Sequence, residues 1–274
     1  MIESNSTPHE IWFQRAGTRL FAVEQGHGHP VVFLHGGLAD HRASLLRTRE
    51  LVASYRLITP DVRGAGRSVD AGPLHWSALA DDVPALLDHL GLQRAVVGGI
   101  SAGSAVALAA ALRHPERLDA LLLVSPVYPG PQRGLHPAPQ AAMERMDEVG
   151  QRVLVEGIDA ILPLFMALPP PIRDAAVEMA RGFDPASVAA TTRLLASGEQ
   201  PMASLAELGT LAMPVLIVPG SDPEHPVEVA QLYAQVIPGA AVGEPDTALG
   251  KPGAPLSRTI DAFLRAVLPD RAER

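Results

Sequence analysis

The sequence predicts an α/β fold, a mostly parallel central sheet flanked on both faces by helices and interrupted once by a helical insertion. Three observations carry this. Apolar runs such as HPVVFL, RLITP, AVVGG, ALLLV and PVLIV alternate with helix-like segments. Continuous runs without polar alternation belong to strands covered on both faces, the condition of a parallel sheet. Glycine clusters close several of these runs, and such sheets bind ligands at the carboxyl ends of their strands. From about residue 131 to residue 207 the alternation gives way to Met-, Ala- and Pro-rich helical segments.

Taken in order, EIWFQRAG and RLFAVEQG are short strands with turns at Gly17 and Gly26, and HPVVFLHGG is a buried strand ending in glycines. A helix over 43–54, the strand RLITPD, a helix over 78–90, the strand AVVGG, a helix over 102–113 and the strand ALLLVSP follow. The insertion contains QAAMERMDEVGQRVL, PIRDAAVEMARGF and DPASVAATTRLLA, broken at Pro169, Pro170 and Pro171 and again at Gly182 to Pro185. The sheet pattern then resumes with MPVLIVPG, a helix over 227–236 and the helix RTIDAFLRAVL. The expected organisation is a core of residues 1–130 and 208–274 with a helical cap, or lid, of residues 131–207.

Composition narrows the chemistry. With 274 residues, 47% of them hydrophobic and 19% charged, the chain is long enough for one large domain with a sizeable core. A net charge of −8 without a Lys/Arg cluster offers no footprint for nucleic acid or an anionic membrane. The expected partner is therefore a small-molecule substrate, and a homodimer is left open. No stretch reaches transmembrane length and the N-terminal MIESNSTPHE is polar, so a cytoplasmic location is expected. The absence of cysteine removes disulfides, thiolate metal sites and a cysteine nucleophile. No His pair has zinc-site helical spacing, and neither a dinucleotide-binding Gly-x-Gly-x-x-Gly nor a P-loop is present, so no metal or cofactor is expected.

The chemistry concentrates in GGISAG. Ser101 lies at the centre of Gly99-Ile100-Ser101-Ala102-Gly103, between a strand and a helix, where a strained, exposed serine needs small neighbours. On its own such a serine is more often only a loop or N-cap residue. The glycines of HGG change the balance, because the N–H of Gly37 with that of Ala102 forms a cradle for a developing oxyanion at a helix N-terminus.

These segments together resemble the α/β-hydrolase fold superfamily: the LHGG loop, DVRGAGRS, the elbow GGISAGSAVALAAALRHPERLDALLLVSP, a helical cap and PVLIVPGSDP. The resemblance implies a serine nucleophile at Ser101, an oxyanion hole at Gly37 and Ala102, and an acid at Asp222 in GSDP. It also implies a turn shaped by Asp61, Arg63 and Gly66, and support of the HGG loop by His35. With serine in the elbow, the aspartate-nucleophile epoxide hydrolases and dehalogenases of the superfamily are disfavoured.

The family order is Ser, then Asp or Glu, then His, and here the order fails. After His225 there is no histidine, and the loop where one belongs offers Asp246, Thr247 and Lys251. A lysine serves as a base only when strongly desolvated. His225, three residues after Asp222, is the candidate replacement, with a packing role in a Pro-flanked loop as its alternative.

For substrate contacts the candidates are Gly36 and Leu38 beside the oxyanion loop and, from the cap, Phe165 and Met166; Leu162, Leu168 and Met179 share their helical spacing. The expected activity is cofactor-independent hydrolysis of an ester, lactone or similar apolar carbonyl compound by Ser101 with an atypical base. The alternative is a degenerate site used for lyase, isomerase or cyclase chemistry or for ligand binding.

Overall fold

In a computed structural model the chain is described over residues 8–127, 138–246 and 254–268. Among the described residues, eight strands form one sheet: β1 (His9–Arg15), β2 (Thr18–Gln25), β3 (His29–Leu34), β4 (Tyr55–Pro60), β5 (Ala95–Ile100), β6 (Leu118–Val124), β7 (Val215–Val218) and β8 (Ala241–Val242). Their spatial order is β1-β2-β4-β3-β5-β6-β7-β8. The β1-β2 and β2-β4 pairings are antiparallel, and all the others are parallel.

Strand residues alternate between two cores because successive side chains leave opposite faces of the pleat. Val32, Leu34, Val97, Leu121 and Leu123 enter one apolar cluster, while Val31, Phe33, Val96, Leu122 and Val124 enter the other. The first is covered by α2 (Trp76–His89), α3 (Ala102–Arg113) and α8 (Val227–Val236), and the second by α1 (His41–Thr48) and α9 (Ala254–Val267). The alanines of α3 favour the helix and bring it close to the sheet.

The helix expected over 43–54 starts earlier and splits. Asp40 caps α1 by accepting from Arg42 N–H. At Thr48 the backbone leaves the helical region while the hydroxyl donates to Ser44 O at 2.7 Å, and a 3-10 turn takes over at Arg49–Ala53.

Between β6 and β7 the described chain forms α4 (Ala138–Glu156), α5 (Leu162–Met166), α6 (Pro170–Arg181) and α7 (Pro185–Ala196), which share a third apolar cluster with Leu38. The beginning of the expected insertion, 131–137, lies outside the described residues. Asp184 caps α7 by accepting from Ser187 N–H, with Pro185 in the first turn. Two hydrogen bonds tie α7 to the loop after β4: Thr191 Oγ1 donates to Gly64 O (2.9 Å), and Asp70 N–H donates to Ser187 Oγ (3.1 Å). No helix among the described residues is long and apolar enough to cross a membrane.

Candidate active site

Ser101 stands between β5 and α3 with φ 56° and ψ −122°, a conformation that L-residues rarely adopt. The turn closes only because its flanking glycines lack side chains. A Cβ on Gly99 would lie 2.4 Å from the Gly103 backbone, and one on Gly103 would lie 2.4 Å from His35 O. Ser101 N–H donates to Val124 O (3.0 Å), which anchors the turn to β6. Ser101 occupies the N-cap position of α3 but makes no side-chain capping bond. Its hydroxyl is committed elsewhere.

That partner is His225. Ser101 Oγ lies 2.9 Å from His225 Nε2, and His225 Nδ1 lies 2.8 Å and 2.9 Å from the two carboxylate oxygens of Asp222. A carboxylate only accepts, so Nδ1 carries the proton and Nε2 is the acceptor for the Ser101 hydroxyl. The local problem of two partners three residues apart is solved by a tight turn. Asp222 Oδ1 accepts from the N–H groups of Glu224 and His225, both at 2.9 Å, and Asp222 O also accepts from His225 N–H at 3.1 Å. The imidazole thus folds back over Gly220, where an added Cβ would sit 2.3 Å from His225 Cβ. Partial burial pushes the Asp222 carboxyl up. The His225 hydrogen bond and nearby charge, with the backbone donors of His225 and Glu224, outweigh burial and hold it below its usual 3.8.

The oxyanion candidates lie alongside. Gly36 crosses over the serine, its missing Cβ 3.4 Å from Ser101 Cβ, and that of Gly37 would be 3.8 Å from Ala102 Cβ. Among the described residues, neither the Gly37 nor the Ala102 N–H has an acceptor. His35 fixes this loop from within the core: Val62 N–H donates to its Nε2 (2.9 Å) and its Nδ1–H donates to Gly36 O (2.7 Å). Burial pushes the His35 pKa down from 6.5, keeping the ring neutral. Leu38, at φ 53°, and Gly36 line a narrow cavity of about 30 Å³ that also touches Gly37 and Ala102.

The cap contacts differ from those expected. Met166 is 55% exposed, because α5 is only five residues long and turns that side chain to solvent. Phe165 is buried within the third apolar cluster, edge-on to Phe183 at 6.3 Å. The cavity is instead walled by Thr191, Leu194 and Leu195 of α7. Val188, Thr191 and Leu195 recur at helical spacing in DPASVAATTRLLA, a signal that sequence reasoning passed over. Leu162 and Leu168 pack against the cap cluster and Met179 lies within it.

The turn after β4 is structural. Asp61 accepts from His41 N–H and Nδ1 and from Arg67 N–H, all at 2.7 Å, and Gly66 passes so close that a Cβ would lie 2.4 Å from Asp61 Oδ2. The Arg63 guanidinium is buried against Asp70 and Asp82. Asp40, His41 and Asp61 offer ligand atoms within 4.8 Å of one another. Arg42 occupies Asp40 and hydrogen bonds occupy Asp61, so this is a satisfied polar cluster rather than an open donor set. Of the loop after β8, Asp246 is paired with Arg47, and Thr247 and Lys251 lie outside the described residues.

A family model described as alpha/beta hydrolase fold matches residues 29–159, the stretch containing Gly36, Gly37 and Ser101. A thermophilic esterase from Thermogutta terrifontis superimposes with a TM-score of 0.79 over 96% of this chain and 100% of its own, at 27% identity. The chain has the α/β-hydrolase fold. The enol-lactonase from Burkholderia xenovorans LB400 gives a TM-score of 0.78 at 21% identity over 93% of this chain and all of its own, a likeness of fold.

Among curated relatives, AB hydrolase superfamily protein YisY of Bacillus subtilis is 35% identical over 40% of this chain and 42% of its own length. The putative carbamate hydrolase RutD of Caulobacter sp. (strain K31) is 36% identical over 34% of this chain and 40% of its own. The chain thus spans about two-fifths of the length of the curated relatives it matches.

Proposed function

We propose that this protein is a cofactor-independent hydrolase of an ester, lactone or similar apolar carbonyl compound, with His225 as a relocated general base. The observation that carries the reading is the Ser101 Oγ to His225 Nε2 contact of 2.9 Å, with the opposite ring nitrogen on Asp222. A nucleophile, a base within reach and a group orienting the base form the minimal acyl-transfer constellation. The esterase, lactonase and carbamate hydrolase named among its relatives act on bonds of this type.

In this mechanism Ser101 Oγ adds to the substrate carbonyl carbon while its proton passes to Nε2. The carbonyl oxygen becomes an oxyanion held by the N–H groups of Gly37 and Ala102. Asp222 stabilises the imidazolium. Collapse breaks the bond to the leaving oxygen, which takes the proton from Nε2. Water then adds to the acyl-serine with His225 again as base, releasing the acid and restoring the serine. A degenerate site has less support, because such a site has no need for a base at hydrogen-bond distance from the serine.

A fluorophosphonate probe tests this. Wild type is expected to be labelled at Ser101, with p-nitrophenyl acetate turnover falling on the order of 10⁴-fold or more in Ser101→Ala and His225→Gln. An unlabelled wild type, or turnover unchanged in Ser101→Ala, refutes the proposal.

A further inference from the structure

Asp246, in the loop after β8 where the base is expected from the family order, is held by several bonds. Arg47 Nη2 donates to both carboxylate oxygens of Asp246 at 2.6 Å, and both side chains are buried. Asp246 N–H donates to Pro219 O (2.7 Å), and Asp246 O accepts from Ser221 Oγ (2.9 Å). Pro219 and Ser221 flank Gly220, and Ser221 immediately precedes Asp222. Ser257 Oγ of α9 donates to Arg47 O at 3.3 Å, joining a further element to the same knot.

We infer that Arg47, Asp246 and Ser221 are positioning residues that preset the Asp222–His225 turn against Ser101; this rests on the hydrolase reading above. The physical need is specific to the relocated base. In the expected family arrangement acid and base reach the serine from two separately anchored loops. Here both hang on one turn, half-exposed at Asp222. A rigid-body drift of that turn carries acid and base away together, and their mutual hydrogen bonds do nothing to resist it. The Ser221 contact and the Asp246 backbone contact supply the external reference, and the buried ion pair fixes Asp246.

The exposed hydroxyl gives a clean perturbation. Ser221→Ala is expected to lower kcat on p-nitrophenyl acetate about fivefold with KM unchanged, as for loss of one hydrogen bond. The rate of fluorophosphonate labelling should fall in parallel, and Ser221→Thr, which keeps the hydroxyl, should restore both. Asp246→Asn is expected to cost on the order of tenfold through loosened positioning. The Ser221→Ala/Asp246→Asn double variant should be no slower than Asp246→Asn alone, because both act through one path. A folded Ser221→Ala with wild-type kcat, a Thr variant as slow as the Ala one, or additive losses would overturn the inference while leaving the hydrolase reading standing. If wild type itself is not labelled, the hydrolase reading fails and the positioning role falls with it.

Discussion

Placing a methyl group on Gly220 tests the relocated base most directly. The added Cβ would lie 2.3 Å from His225 Cβ and 2.5 Å from His225 O, so both the ring's root and its backbone block it. Restoring an ordinary 3.4 Å contact requires a displacement of about 1.1 Å. Applied to a Ser101–His225 contact of 2.9 Å, a shift of that size away from the serine breaks the hydrogen bond. Misplacement of a catalytic group by ~1 Å costs about 10²-fold in rate, or ~2.7 kcal/mol in the barrier. Overpacking costs ~1–3 kcal/mol of stability in addition. Gly220→Ala should therefore remain folded by circular dichroism while kcat on p-nitrophenyl acetate and the fluorophosphonate labelling rate fall about a hundredfold. Wild-type kcat in Gly220→Ala, within a factor of two, would refute the placement of His225 as base.

Two other outcomes follow from buried features. His35 is neutral in the fold with its pKa pushed below 6.5, whereas the unfolded chain takes up a proton as pH falls through 6.5. Stability is thus fully present above pH 6.5 and declines below it toward the native pKa, and urea midpoints of wild type should fall in that window relative to His35→Gln. Leu195 lies against Gly37, its Cδ1 2.9 Å from the position a Gly37 Cβ would take, and it walls the 30 Å³ cavity. Leu195→Ala should move the preferred p-nitrophenyl ester toward longer acyl chains, gaining about three- to fourfold in kcat/KM per added methylene; an unchanged chain-length profile counts against acyl binding there.

The sheet and its helices were legible because burial on two faces writes itself into long apolar runs. The elbow was legible because a side chain at Gly99 or Gly103 would place its Cβ 2.4 Å from neighbouring backbone, which restricts both positions to glycine. Asp222 was located by following a strand. His225 was different: spacing places it on the same turn as Asp222, but its reach to Ser101 depends on folding back over Gly220, a contact set by the loop's three-dimensional path. The surroundings of Phe165 and Met166 were not legible for a related reason. Spacing identifies an apolar stripe, but not which neighbour it faces, and α5 is too short to bury both Phe165 and Met166. The splitting of the helix at Thr48 depended on one hydroxyl bonding backwards, which periodicity does not register.

If Ser101, Asp222 and His225 act as proposed, the machinery is a two-piece device: an elbow that supplies the serine and a four-residue cassette, from Asp222 to His225, that supplies both groups activating it. Such a cassette is inherited or lost as a unit. On that reading a small deletion between Gly220 and Pro226 removes acid and base in one step. A search that demands a histidine near the C-terminus would discard this chain as inert, and others built the same way would be overlooked with it.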